Sequence, residues 1–256
     1  MSGALSLEGK VAVVTGASRG IGEAIARALA AEGARVVCAS RKLEAVTAVA
    51  SSIGPSAHAV AAHTGREADC IALMAASVEH FGKVDFLVNN AATNPYFGPL
   101  LDIDQGAWEK TFEVNVKGYF WMIRALVHHL RARGATEQGG GAVVSVASVA
   151  GLEAAPLMGL YGMSKAAVVS MTKTLAYELA GSRIRVNAVA PGFVDTRFAA
   201  AVVQNEGLMS EVRRKTPLGR VGLPSEIAGG VVYLLSDSAS YLTGHTLVID
   251  GGMTVC

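Results

Sequence analysis

The sequence predicts an α/β fold: a single, doubly wound, seven-stranded parallel sheet with helices on both faces. Three observations carry this. Short runs of residues are apolar nearly throughout rather than alternating, as in parallel strands buried on both faces. Amphipathic helical patterns separate the runs, so strand–helix–strand units repeat with right-handed crossovers. The 256 residues are 51% apolar, which suits one domain spanning 1–256 around one large core.

The strand runs are 11–15, 35–39, 58–62, 84–89, 142–146, 185–189 and 247–250. Between the first two, Ile21, Ala24, Ile25, Ala28 and Leu29 fall at i, i+3, i+4, i+7 and i+8, one face of a helix over 21–32. Gly33 then ends it. Similar patterns occupy about 67–81, 104–132, 161–180 and 224–236. "GATEQGGG" (134–141) reads as a turn, not a domain boundary. Residues at about 193–223 break the alternation. They are expected to form a substrate-binding lid, with Phe193, Phe198, Leu208 and Met209 turned to the ligand.

Several function classes are disfavoured. With 22 basic and 21 acidic residues, nothing global favours nucleic acid or an acidic membrane surface. Cys38, Cys70 and Cys256 are odd in number and form no CxxC, which argues against a disulfide framework or a zinc site. The six histidines show no ligand spacing, so no metal is expected, and adjacent His128 and His129 read as surface or subunit-contact residues. No leader pattern and no apolar run of ~18 residues stands out, so a soluble, cytoplasmic protein is expected.

"VAVVTGASRGIG" (11–22) leads from a strand straight into a helix. Gly16, Gly20 and Gly22 permit positive φ, close approach of backbone to a pyrophosphate, and tight helix–sheet packing. The helix N-terminus adds free N–H groups for the phosphates. This is a Rossmann-type dinucleotide turn, with Ser18, Arg19 and Ile21 among its contacts. An NAD site usually has an acid about 20 residues later, on the ribose hydroxyls. Here "VVCASRK" (36–42) puts Ser40 at that place, followed by Arg41 and Lys42. A carboxylate would repel a 2′-phosphate, whereas a serine beside a guanidinium receives it. Arg19 can close the same pocket, so NADP(H) is expected to be preferred over NAD(H).

These residues, with "NNAA" (89–92), "NVKG" (115–118), "SVASVAG" (145–151), "YGMSK" (161–165), "PGFVDT" (191–196) and "TGHTLVIDGG" (243–252), lie in an order that resembles the short-chain dehydrogenase/reductase family over essentially the whole chain. "ASRK", "NAATNPYFGPL" and His63 are most similar to its NADPH-dependent carbonyl reductases of the dehydrogenase/reductase member 4 type. Its β-ketoacyl-[acyl-carrier-protein] reductases are the next branch.

The resemblance implies a catalytic set of Asn115, Ser148, Tyr161 and Lys165. Tyr161 and Lys165 lie one helical turn apart, on one face. A phenol has a reference pKa of ~10, and an adjacent ammonium favours its ionised form. The family makes Tyr161 the general acid in reduction and the base in oxidation, and puts Lys165 on the nicotinamide ribose. Ser148, at the end of the fifth strand, would orient the substrate carbonyl. Ser145 lies too far inside the strand. Asn115 would sit at a helix kink with a water that relays protons to the lysine.

Asn90, Ala91 and Ala92 would lie beside the adenosine, with Ala92 replacing a common glycine. Pro191, Gly192, Val194 and Thr196 would hold the carboxamide end. His63, with Thr64, stands where many relatives carry an aspartate for the adenine amine, and a neutral imidazole can accept through one nitrogen. Tyr96, Phe97, Glu153 and Phe193 would wall the substrate site beside Ser148 and Tyr161. The expected activity is hydride transfer between NADP(H) and a small-molecule carbonyl or secondary alcohol. The alternatives are 3-oxoacyl-[acyl-carrier-protein] reduction, docked on Arg124, Arg131 and Arg133, and a non-catalytic dinucleotide sensor. The resemblance further implies a homotetramer.

Overall fold

The computed structural model describes residues 5–132, 134, 140–196 and 206–255. Its sheet is seven-stranded and parallel throughout, in the order β3-β2-β1-β4-β5-β6-β7. The strands are β1 Val11–Thr15, β2 Arg35–Ser40, β3 Ala57–Ala61, β4 Phe86–Asn89, β5 Gly141–Val146, β6 Ile184–Pro191 and β7 Thr246–Ile249. The helices are α1 Gly20–Ala31, α2 Leu43–Ile53, α3 Glu67–Phe81, α4 Gln105–Phe112, α5 Gly118–Ala132, α6 Gly159–Leu179, α7 Glu206–Lys215 and α8 Pro224–Leu235.

The pleat divides the core into two. Ala12 and Val14 of β1 face one side, with Ile25 and Leu29 of α1, Val46 of α2 and Ile227 and Val231 of α8. Val11 and Val13 face the other, with Leu73 of α3, Met122 and Leu126 of α5 and Leu179 of α6. Both sets are almost fully buried, which is why the runs carry no alternation of polar residues.

Three features depart from the sequence expectation. A helix, α2, lies between β2 and β3. It buries only Val46, Val49 and Ala50, a stripe too thin to stand out in "LEAVTAVASSI". The expected continuous helix at 104–132 is two helices joined by a π turn, Glu113–Lys117, where the Gly118 N–H bonds Glu113 O. The segment expected to form a lid contains α7; residues 197–205, with Phe198, and the Leu208 side chain lie outside the described residues, and Met209 is buried.

Buried polar groups lock the ends of the strands. Asp85 accepts from the Val11 amide at 2.9 Å and pairs with Lys83 at 3.0 Å. His129, expected at the surface or a subunit contact, is half-buried within its own chain. Its Nε2 accepts from the Val84 amide at 3.1 Å and ties α5 to the approach of β4. Arg185 caps α8, donating to Leu234 O at 2.6 Å and Leu235 O at 3.1 Å. The topology reverses between β1 and β4, so a crevice opens beyond their carboxyl ends.

Candidate active site

The glycine turn between β1 and α1 is held shut by β4. The Thr15 hydroxyl accepts from the amides of Asn90 and Ala91 at 3.0 and 3.1 Å. The Asn90 side-chain amide donates to Thr15 O at 2.9 Å and Gly16 O at 3.2 Å. Gly16 has φ +68°, and a Cβ there would lie 2.7 Å from Asn90 Nδ2. A Cβ at Gly22 would run into Gly16 O. Ala92 is not among the left-handed residues of the described chain, so its methyl group strains nothing.

Arg19, Arg41 and Lys42 are exposed and Ser40 is half-buried at the tip of β2, its hydroxyl donating to Lys42 O at 3.3 Å. All four line the same cleft as the glycine turn. His63 and Thr64 line its far wall. His63 Nδ1 accepts from the Gly65 amide at 3.2 Å, and Nε2 lies 3.1 Å from Lys110 Nζ. Burial, then the Lys110 charge, push the ring's pKa down, so it is neutral at pH 7. A neutral imidazole accepts at one nitrogen only. Both ring nitrogens face donors, the Gly65 amide and the Lys110 ammonium, so whichever nitrogen accepts is already engaged and the ring keeps no acceptor for an adenine amine.

The π turn places Asn115 fully inside the protein. Its Oδ1 accepts from Thr93 N at 2.8 Å, and its Nδ2 donates to Thr93 O at 2.9 Å and Ser164 Oγ at 3.0 Å. Ser164 in turn donates to Tyr161 O at 2.7 Å. The side chain thus ties the tail of β4 to the turn of α6 that carries Tyr161. These side-chain bonds go to Thr93 and Ser164, not to Lys165.

Tyr161 is hydrogen-bonded to Ser148, whose Oγ also accepts from Ala150 N at 3.2 Å. Ser145 pairs with Asn89 inside the sheet and is buried. Lys165, also buried, donates to Val146 O at 2.6 Å and to the Tyr119 hydroxyl at 3.2 Å. Its amine lies 5.5 Å from the Tyr161 ring centre. Burial pushes Tyr161 up to about 12, against the lowering effect of Ser148, and pushes Lys165 down to about 7. Desolvation therefore outweighs the attraction that the sequence suggested. At neutral pH the phenol carries its proton, as a proton donor must.

The cleft encloses about 600 Å³ and runs from Arg19, Ser40, Arg41 and Lys42, past Gly16, Ser18, Gly20, Ile21, Gly22, Asn90, Ala91 and Ala92, to Tyr161, Lys165 and Thr196. No carboxylate lies among its described lining residues. Ser148, Pro191, Gly192 and Val194 stand outside this lining. So do Tyr96, Phe97 and Glu153, while Phe193 lines a separate cavity of about 100 Å³ beside Leu218 and Ile249. Tyr96 spends its hydroxyl on Pro99 O at 3.0 Å, whereas Phe97 and Glu153 are exposed. The loops after β4 and β5 meet where Gly98 N donates to Leu157 O at 2.9 Å, with Leu157 at φ +63°.

A family model described as enoyl-(acyl carrier protein) reductase matches residues 16–254. Dehydrogenase/reductase SDR family member 4 of Oryctolagus cuniculus is 41% identical over 249 residues, covering 96% of this chain and 94% of the relative. The chain belongs to the short-chain dehydrogenase/reductase family. Among solved members of the family, a 3-ketoacyl-(acyl-carrier-protein) reductase of Brucella melitensis complexed with NADH superposes with TM-score 0.92 at 37% identity, covering 97% of this chain and all (100%) of that one. A gluconate 5-dehydrogenase of Burkholderia cenocepacia in complex with NADP and tartrate gives TM-score 0.92 at 30% identity, covering 99% and 98%.

A short-chain dehydrogenase/reductase is an oxidoreductase that uses NAD(P), and this cleft fits such a dinucleotide. Side chains at Gly16 or Gly22 would collide with Asn90 and Gly16 O and force the glycine turn out of shape, and its cations line the cleft with no carboxylate among the described lining. Sequence reasoning missed Thr15, Thr93, Ser164 and Tyr119. The first three act through hydrogen bonds to distant segments, Thr15 to Asn90 and Ala91, Thr93 and Ser164 to the Asn115 side chain, which no local spacing announces. Tyr119 carried one signal, its position four residues after Asn115.

Proposed function

We propose that this short-chain dehydrogenase/reductase interconverts a carbonyl compound and a secondary alcohol with NADP(H), as a carbonyl reductase or alcohol dehydrogenase. One observation supports this reading above others. A single cleft carries Arg19, Arg41 and Lys42 at one end, without a carboxylate among its described lining, and the Tyr161–Lys165 pair at the other. Bound there, the cofactor supplies hydride chemistry at its nicotinamide ring.

The chain's own residues do the rest. Arg19, Ser40 and Arg41 hold the 2′-phosphate, and the glycine turn seats the pyrophosphate. Ser148 hydrogen-bonds the substrate oxygen and fixes it beside Tyr161. In reduction Tyr161 Oη gives its proton to that oxygen as the carbon gains a hydride; in oxidation it takes the proton back. Lys165 holds the nicotinamide ribose, and its positive charge favours the tyrosinate. Asn115 keeps the Tyr161 turn in place. Pro191, Gly192, Val194 and Thr196 meet the carboxamide end.

The test is turnover of a ketone, aldehyde and acyl-thioester panel with NADPH and NADH. Tyr161→Phe should lower kcat by ~10²–10⁴ while cofactor affinity stays within twofold. Undiminished turnover would overturn the assigned role.

The likeness to the Brucella melitensis enzyme favours 3-oxoacyl-[acyl-carrier-protein] reduction as the second reading. That needs a basic docking face. Arg124 is ion-paired with Glu67 and stacked on Trp121 with 4.5 Å from guanidinium carbon to ring centre, and Arg133 lies outside the described residues, which leaves Arg131. The acyl-thioester arm of the panel, run with carrier-bound and free thioesters, separates the two readings.

A further inference from the structure

We propose that Tyr119 is a positioning residue for the reaction: its hydroxyl holds the Lys165 amine in place from behind and sustains its positive charge. The proposal rests on the assignment of Tyr161 and Lys165 given above.

Tyr119 is buried on α5, the helix that leaves the π turn, at 1% exposure. It does not line the cleft and cannot reach a substrate. Its hydroxyl donates to Val146 O at 3.1 Å, and Lys165 Nζ donates both to the same carbonyl at 2.6 Å and to the hydroxyl at 3.2 Å. The three atoms close a triangle in which the phenol passes its hydrogen to the carbonyl and offers its lone pair to the amine. The Tyr119 ring centre lies 5.1 Å from Nζ, so the aromatic face adds a second attraction. The helix itself is pinned at this residue, because Asn89 Nδ2 donates to Tyr119 O at 3.1 Å.

This arrangement answers a need. Lys165 must be charged to favour the tyrosinate, yet burial alone drives it down to about 7. The titratable groups facing it are Tyr161 on its own helix and Tyr119 on α5; β5 contributes only the Val146 carbonyl. No carboxylate enters the balance, which leaves the ammonium dependent on neutral acceptors. The Tyr119 hydroxyl accepts a stronger, charge-assisted hydrogen bond from the ammonium than from the neutral amine, and so favours the protonated form.

The sign follows. Removing the hydroxyl lowers the lysine's pKa further, and the charge is then lost at lower pH. Tyr119→Phe should leave kcat/KM within about twofold of wild type at pH 6 and reduce it ~10-fold at pH 9, with the alkaline limb moved toward acid. NADPH titration by its own fluorescence over the same pH range should lose affinity along the same shifted curve, independently of turnover. The melting temperature at pH 6 should stay near wild type, because Val146 O keeps its lysine donor.

Superimposable pH profiles for rate and affinity would overturn the proposal. If Tyr119→Phe does not fold, Tyr119→Met, which fills the space without a hydroxyl, supplies the same readout. Persistent turnover in Tyr161→Phe would instead remove the underlying reading. An inactive Tyr161→Phe with an unshifted Tyr119→Phe removes this inference alone.

Discussion

At the scale of single residues the site separates by charge. The cations Arg19, Arg41 and Lys42 stand in water at one end of the cleft, and the one buried cation, among the described lining residues, is Lys165 at the other. The exposed group has little to gain except from a ligand that carries charge to it. Arg41→Ala should therefore weaken NADPH by about 10- to 100-fold and leave NADH within twofold, as read by fluorescence titration of each nucleotide. Equal losses for the two would remove the 2′-phosphate pocket. The residues behind this prediction were legible because Ser40 and Arg41 stand in sequence where an acid is otherwise expected. Tyr119 and His129 were not legible. Each acts through a contact across the fold, 46 residues away for Tyr119 and 45 for His129, and local pattern carries no trace of that distance.

At the scale of elements the decisive piece is the π turn between α4 and α5. The apolar pattern runs through it without a break, so periodicity predicts one helix, and only the poor helix former Asn115 marks the place. Its three side-chain hydrogen bonds replace what a loop and a helix would otherwise lack, since Thr93 N and Thr93 O find their partner in Asn115. Asn115→Ala leaves both groups without that partner and should cost about 2–5 kcal/mol in urea unfolding, with a parallel fall in kcat. Unchanged stability would mean that the loop after β4 finds other partners. The strands were legible to within one or two residues; the five inner ones are buried on both faces, which leaves an almost unbroken apolar record, while the edge strands β3 and β7 are only half-buried. The short helix α2 left none, because its buried stripe is three residues wide.

At the scale of the whole molecule, large apolar side chains stay exposed on α4 and α5, at Trp108 and Phe120, and near the last strand, at Tyr241, Val248 and Val255. Patches of this kind are covered when copies associate through closed symmetry. A homotetramer is the expected state, and light scattering should return four times the 26.3 kDa chain mass. A monomer mass at micromolar concentration would refute it.

The bond from Asn90 to Gly16 closes a loop of 74 residues, and it bears on the order in which the protein is made. The phosphate seat emerges from the ribosome first, yet the amide that locks it comes only after three strands and three helices have been synthesised. Closing 74 residues rather than a local turn of about 20 costs about 1 kcal/mol more in chain entropy. Parallel pairing of β1 with β4 must meet that cost before any nucleotide can help. The glycine turn is thus among the earliest parts of the chain, yet it is locked only once the end of β4 has been made.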